Sequence, residues 1–281
     1  MLIGIDVGGT FTDGILCSEG RILKTAKHPT KEDDLQDSIF AVLDELLQGV
    51  KGSAIKHVVL STTLVTNLLA SGGGDPAALI LIPGPGLNWR QRELFPHTYI
   101  ADGATDFRGR IIEPLNQAQI EEFGKLITAA GIRKVAVVGK FSQRNSSQER
   151  QVGEILQERH PDLEVIRGFE VSGQLNFPRR AVTAYYTAVT REKWAGFAAS
   201  IKKAIGERGI ASPINILKAD GGTMPLETSL NYPCETVFSG PAASVMGAFA
   251  LTMDRQTSVV VDIGGTTTDL GLILEGKPLY A

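Results

Sequence analysis

Two stretches of this sequence carry residue types suited to phosphate and metal chemistry. Asp6-Val7-Gly8-Gly9-Thr10-Phe11-Thr12-Asp13 recurs as Asp262-Ile263-Gly264-Gly265-Thr266-Thr267-Thr268-Asp269, identical at six of eight positions. Each Gly-Gly pair leaves a turn free of side chains, so backbone N–H groups can close around phosphate oxygens. Threonine hydroxyls add donors to the same anion. An aspartate at a strand end repels phosphate by itself, yet it suits a Mg²⁺ ion or that ion's waters. Gly8, Gly9, Thr10, Thr12, Gly264, Gly265, Thr266 and Thr267 are therefore expected to hold phosphate. Asp6 and Asp262 are expected to organise Mg²⁺, and Asp13 and Asp269 to orient loop hydroxyls or a nucleophile. All four aspartates are candidate catalytic residues. Two such loops would grip a triphosphate, as in ATP, from both sides. Phosphoryl transfer needs mainly positioning and charge neutralisation, which this arrangement supplies.

One Gly-Gly turn flanked by solvated Thr and Asp would mean little. Two copies with both aspartates retained weigh toward a ligand. The segments lie 256 residues apart (262 − 6), too far for a solenoid repeat. They fit two related lobes facing a shared cleft. Neither Gly-x4-Gly-Lys-Ser/Thr nor a strand–Gly-x-Gly-x-x-Gly–helix occurs, so the two common nucleotide signatures are absent.

The elements that must position these loops follow from periodicity. Residues 2–7 read as a buried strand, stopped by Gly8-Gly9, and residues 11–17 as its antiparallel partner, a hairpin rather than a βαβ unit. Residues 31–48 carry Leu35, Ile39, Val42, Leu43 and Leu46 at helical spacing. From residue 57 strands and helices alternate, which argues for an α/β sheet covered by helices. Residues 178–206 read as one long helix, and 258–262 with 269–274 repeat the opening hairpin. The expected division is an N-terminal lobe over 1–175 and, over 176–281, the long helix with the start of a second lobe.

At 281 residues there is enough chain for two cores. A net charge of −3 gives no reason to expect nucleic acid or an anionic membrane as partner. Cys17 and Cys234 are too few for a disulfide framework or a zinc site. No signal peptide or membrane-spanning run is visible, and the cytoplasm is the expected compartment.

Over nearly its whole length the chain resembles the hydantoinase A / 5-oxoprolinase family. The resemblance is carried by the block from Gly4 to Asp13, by Thr62-Thr63-Leu64-Val65-Thr66-Asn67, Asp220-Gly221-Gly222, Ser239-Gly240-Pro241-Ala242-Ala243, and by the block from Asp262 to Asp269. It implies duplicated ribonuclease-H-like lobes of α/β class, with mixed sheets opening on β-hairpins. It also implies ATP-dependent opening of a cyclic amide, or ATP-driven activation of a related carbonyl compound, with Mg²⁺ and in some cases a second subunit. A small-molecule kinase, an ATP-gated reactivating factor acting on a partner protein and a carboxylase subunit are the alternatives. Two departures fall where substrate selectivity belongs: Leu60-Ser61 where the family has His-Gly, and Pro83-Gly84-Pro85-Gly86 in place of a Gly-Phe-Arg-Asp type segment. The chain ends twelve residues after Asp269 (281 − 269), so the second lobe is expected to be incomplete.

Within these blocks, Thr62, Thr63 and Asn67 either cap a helix or touch substrate. Gly221 and Gly222 either form a plain turn or approach a ligand. Ser239 and Gly240 open a helix whose N-terminus could receive an anion.

Overall fold

The computed structural model describes residues 1–31, 35–86, 88–89, 94–252, 256–264 and 268–279. The opening strands are β1 (Leu2–Val7), β2 (Phe11–Ser18) and β3 (Arg21–Pro29), an antiparallel meander. Alternation sorts their side chains: Ile3, Ile5 and Val7 of β1 and Thr12 and Leu16 of β2 are buried, while Asp6 and Asp13 point to the other face. Helix α1 (Leu35–Leu46) covers the buried face through Ile39, Val42, Leu43 and Leu46. It crosses so closely that a Cβ on Gly14 would lie 2.2 Å from Val42 Cγ1 and 3.0 Å from Leu46 Cδ1. Gly14→Ala should therefore push α1 off the sheet and lower stability by about 1–3 kcal/mol. Urea unfolding of the variant checks this.

Strand β4 (His57–Thr62) runs parallel to β1 and feeds α2 (Leu64–Ser71). Chain contacts then define two compact units, Gly73–Glu192 and the remainder, Met1–Gly72 with Lys193–Ala281.

In Gly73–Glu192 the central strands are β5 (Ala77–Ile82) and, after β6 (Thr98–Ile100), the small ribbon β7 (Ala104–Thr105) with β8 (Ile111–Glu113) and helix α3 (Gln117–Ala129), strand β9 (Lys134–Gly139). Helix α4 (Ser147–Arg159), strand β10 (Glu164–Arg167), the short α5 (Gly168–Val171) and α6 (Phe177–Glu207) follow. The sheet order is β10-β9-β5-β6, all parallel. Every residue of β5 and β9 is buried, which is why both read as unbroken apolar runs rather than alternating ones. Ile120, Val152 and Leu156 belong to one core of this unit, and Phe177, Ala181, Ala184 and Ala188 to another.

The last part of α6 serves the other unit, where Trp194, Phe197, Ile201 and Ile205 join the core beneath β1 and β4. Trp194 Nε1 donates to Ser229 Oγ at 3.0 Å, so the buried indole is satisfied. Strand β11 (Ile214–Leu217) pairs parallel to β4, and β12 (Thr223–Pro225) pairs antiparallel to β11. The first sheet thus has the order β12-β11-β4-β1-β2-β3. The pairing of β11 with β4 returns the chain to its first sheet. For that reason the compact units do not divide at residues 175 and 176, as the sequence had led us to expect. After α7 (Leu226–Ser229), helix α8 (Ser239–Thr252) precedes β13 (Ser258–Ile263), β14 (Thr268–Leu274) and β15 (Lys277–Pro278), a second antiparallel meander. One face of it packs on α8, where Gly271 leaves room for Val245. The other presents Val259, Val261, Ile263, Leu270, Leu272 and Leu274, all exposed.

Candidate functional site

The site grows from strand registers. In β1 and β2, Asp6 stands opposite Asp13; in β13 and β14, Asp262 stands opposite Asp269 in the same manner. The neighbouring strands extend the first pair into a row. Ser61 of β4 lies beside Asp6, and Lys27 of β3 lies beside Asp13. Ser61, Asp6, Asp13 and Lys27 therefore cross four adjacent strands at one level.

Asp6, Gly8, Gly9, Thr10, Asp13, Asp262, Gly264 and Asp269 all line one cleft of about 940 Å³, with Thr63, Asn67 and Gly240. The two hairpins thus face a common space, as the repeat predicts. At the first turn Gly8 N donates to Phe11 O at 3.0 Å, and a Cβ on Gly8 would lie 3.1 Å from that oxygen. The turn accordingly presents bare backbone to the cleft. Gly265, Thr266 and Thr267 lie outside the described residues.

Asp6 is the enclosed carboxyl of this row. Burial, more than any charge, raises its carboxyl above the ordinary aspartate range, and the nearby Asp13 and Asp262 carboxylates push the same way. A hydrogen bond from Ser61 and the Lys27 charge pull in the opposite direction. Its Oδ1 is enclosed without a hydrogen-bond partner. A buried carboxylate oxygen lacking a partner is what a cation or its water would satisfy. Asp262 is fixed by Ser244, whose hydroxyl donates to Oδ2 at 2.5 Å. Among the described residues no three His, Cys, Asp or Glu side chains converge as a metal cage. Mg²⁺ fits this donor set nevertheless, since it commonly takes one or two carboxylates and completes its shell with phosphate oxygens and water.

Other expectations are placed differently. Thr12 points to the opposite face from Asp13, is fully buried, and shares a 3.0 Å hydrogen bond with Thr30. Strand alternation carries it away from the cleft, so it does not join Thr10 there. Thr62 is buried and its Oγ1 accepts from Leu64 N, a start signal for α2. Thr63 donates to Val7 O at 3.3 Å and accepts from Asn67 Nδ2 at 3.3 Å, tying α2 to β1 beside the turn. Ser239 is buried, 3.3 Å from Ser61 Oγ, and also donates to Thr62 O. It anchors the start of α8 rather than lining the cleft. Gly221 and Gly222 form the turn between β11 and β12, with Gly222 N donating to Asp220 Oδ1, and lie outside the cleft lining.

Lys27, Thr30 and Ser244 line the cleft without having been singled out from the sequence. Lys27 comes opposite Asp13 only through the pairing of β3 with β2. Cys17 and Cys234 are free thiols, each half-buried. Among the described residues no helix is long and apolar enough to cross a membrane.

Comparison with known proteins fits this geometry. Residues 2–160 match the Hydantoinase/oxoprolinase N-terminal region and residues 180–281 match Hydantoinase/oxoprolinase. The chain belongs to the hydantoinase/oxoprolinase family. It is 24% identical to the acetophenone carboxylase gamma subunit of Aromatoleum aromaticum, over 98% of this chain and 42% of that one. It is 23% identical to caprolactamase subunit alpha of Pseudomonas jessenii, over 99% of this chain and 44% of that one. Among solved structures, nucleotide-free acetone carboxylase superposes with a TM-score of 0.86 at 21% identity, covering 100% of this chain and 47% of that one. These likenesses show the actin/hexokinase-like fold. The chain spans less than half the length of these relatives.

Proposed function

We propose that this chain holds the phosphates of Mg-ATP between its two Gly-Gly hairpins, and that it does so as part of an ATP-dependent amidohydrolase acting on a cyclic amide or related carbonyl. The observation that carries the reading is the convergence of both Asp-x-Gly-Gly hairpins on one cleft. Backbone around Gly8, Gly9 and Gly264 receives phosphate oxygens, and Thr10 adds a hydroxyl. Asp6 and Asp262 would hold Mg²⁺, which supplies charge neutralisation across the phosphates when bound. Asp13 and Asp269, one strand over, orient hydroxyls or water.

In the reaction, the amide oxygen of the substrate attacks the γ-phosphorus. The O–P bond forms, the bond between the γ-phosphorus and the bridging oxygen breaks, and ADP leaves with that electron pair. The substrate carbon, now bearing a phosphorylated oxygen, is open to water. Thr63, Asn67 and Gly240, on the cleft wall, are the candidates for substrate contact. The names of the relatives, a gamma subunit and a subunit alpha, support work with a second subunit. The cytoplasm, with its ATP supply, is the compartment that suits this chemistry.

A panel assay of the full-length gene product tests the reading, scoring ATP hydrolysis against cyclic amides and against ketones with bicarbonate. Hydrolysis coupled to ring opening is the expected result. Hydrolysis only with ketone and bicarbonate would make it a carboxylase component, which the name of the acetophenone carboxylase relative keeps in view. A phosphorylated product that accumulates unopened would make it a kinase. Stimulation by a protein alone would make it a reactivating factor.

A further inference from the structure

The described residues lining the cleft include four carboxylates, Asp6, Asp13, Asp262 and Asp269, and a single cation, Lys27. A polyphosphate entering such a space meets strong like-charge repulsion unless positive charge is at hand. Such repulsion is strong at contact distances in a space partly shielded from water. One cation in the right place therefore matters.

Lys27 is held in that place by two unrelated contacts. Its Nζ donates to both carboxylate oxygens of Asp13, at 2.8 and 3.0 Å, and sits 4.7 Å from the centre of the Phe11 ring. Phe11 closes the Gly8-Gly9 turn, since its carbonyl accepts from Gly8 N. The ammonium is thus fixed beside the loop that faces the cleft. Both partners of the pair remain about half exposed (57% and 51%), so the amine is accessible from the cleft. An exposed pair of this kind contributes little to stability. Its effect lies in the field it sets inside the cleft.

We propose that Lys27 is a phosphate ligand: Asp13 and Phe11 park its ammonium at the first hairpin, and it reaches the outer phosphates of ATP when the nucleotide enters. This rests on the phosphate-site reading above and adds to it the residue that offsets the carboxylates.

The test is calorimetric titration of ATP, ADP and AMP in magnesium buffer into the unsubstituted chain, Lys27→Met and Lys27→Arg. Loss of one charge-assisted contact should weaken ATP by about 10- to 100-fold in Lys27→Met. AMP, which lacks the outer phosphates, should bind all three proteins alike, and Lys27→Arg should recover most of the ATP affinity. Thermal unfolding should be nearly unchanged, as expected for an exposed pair. Equal ATP affinity in Lys27→Met and the unsubstituted chain would overturn the role of Lys27 alone. So would parallel weakening of ATP and AMP, which would mean a general structural effect. Failure of the unsubstituted chain to bind ATP would overturn the phosphate-site reading, and the inference with it.

Discussion

Asp6→Asn should lower magnesium-dependent ATP turnover by about 10²–10³-fold, the usual scale for removing one preorganised electrostatic group from a reacting centre. The same substitution should raise thermal stability at neutral pH. Asp6 carries a carboxyl whose folded-state pKa lies above its unfolded value, chiefly through burial. The folded state then binds the proton more tightly than the unfolded chain does. Below the unfolded pKa, near 3.9, the side chain imposes no penalty. As pH rises through the raised folded value, stability falls and stays lower, because the buried carboxylate must ionise beside Asp13 and Asp262. Asparagine removes that charge. Differential scanning of both proteins from acid to neutral pH checks the sign: the curves should meet at low pH and separate above it. In cation-free buffer, a variant less stable than the parent at neutral pH would show that the ionised Asp6 carboxylate does not destabilise the folded state.

Arg180→Ala is expected to be the most damaging substitution for stability, at about 3–5 kcal/mol. Arg180 and Glu149 are both wholly buried and grip the end of β9 from two sides. Gly139 N donates to Glu149 Oε1 at 2.8 Å, and Gly139 O accepts from Arg180 Nη2 at 2.6 Å. Glu149 Oε2 also accepts from Phe169 N at 3.0 Å, while Arg180 Nη1 donates to Gln174 O at 2.6 Å. Burial pushes the Glu149 carboxyl up and the Arg180 guanidinium down, and each charge favours the other. Truncating the arginine leaves an uncompensated carboxylate in the interior. The loss is large against the roughly 5–15 kcal/mol that holds a typical domain folded. Amide hydrogen exchange at Gly139 and Phe169 should accelerate in the variant. Protection unchanged at both amides would show that Arg180 is not what holds them.

Much of the cleft was legible from local sequence, because a Gly-Gly turn between apolar strands fixes a hairpin over few residues. Asp6, Asp13, Asp262 and Asp269 follow from that hairpin directly. Thr12 departs from the expectation for a local reason: period-two alternation puts it on the opposite face of β2 from Asp13. Ser61 and Lys27 needed pairings with other strands. The register of β4 against β1 spans more than fifty residues and leaves no mark in either segment. The unit boundary was hidden in the same way, since β11 joins β4 across about 150 residues. The pairing of two related hairpins across one cleft was accessible only because two distant segments resemble each other. The row of side chains across the first sheet was not.

The opposed aspartates of β13 and β14 have a consequence for folding itself. Like charges facing each other across a strand pair weaken it, and Asp262 stands opposite Asp269. Any divalent cation that settles between the hairpins would relieve this repulsion only in the folded state. By mass action it would then shift the equilibrium toward that state. If magnesium is that cation, as proposed above, its free concentration would set the stability of the fold as well as the chemistry, and a cell poor in the ion would hold less of the chain in its ordered form before any substrate is met.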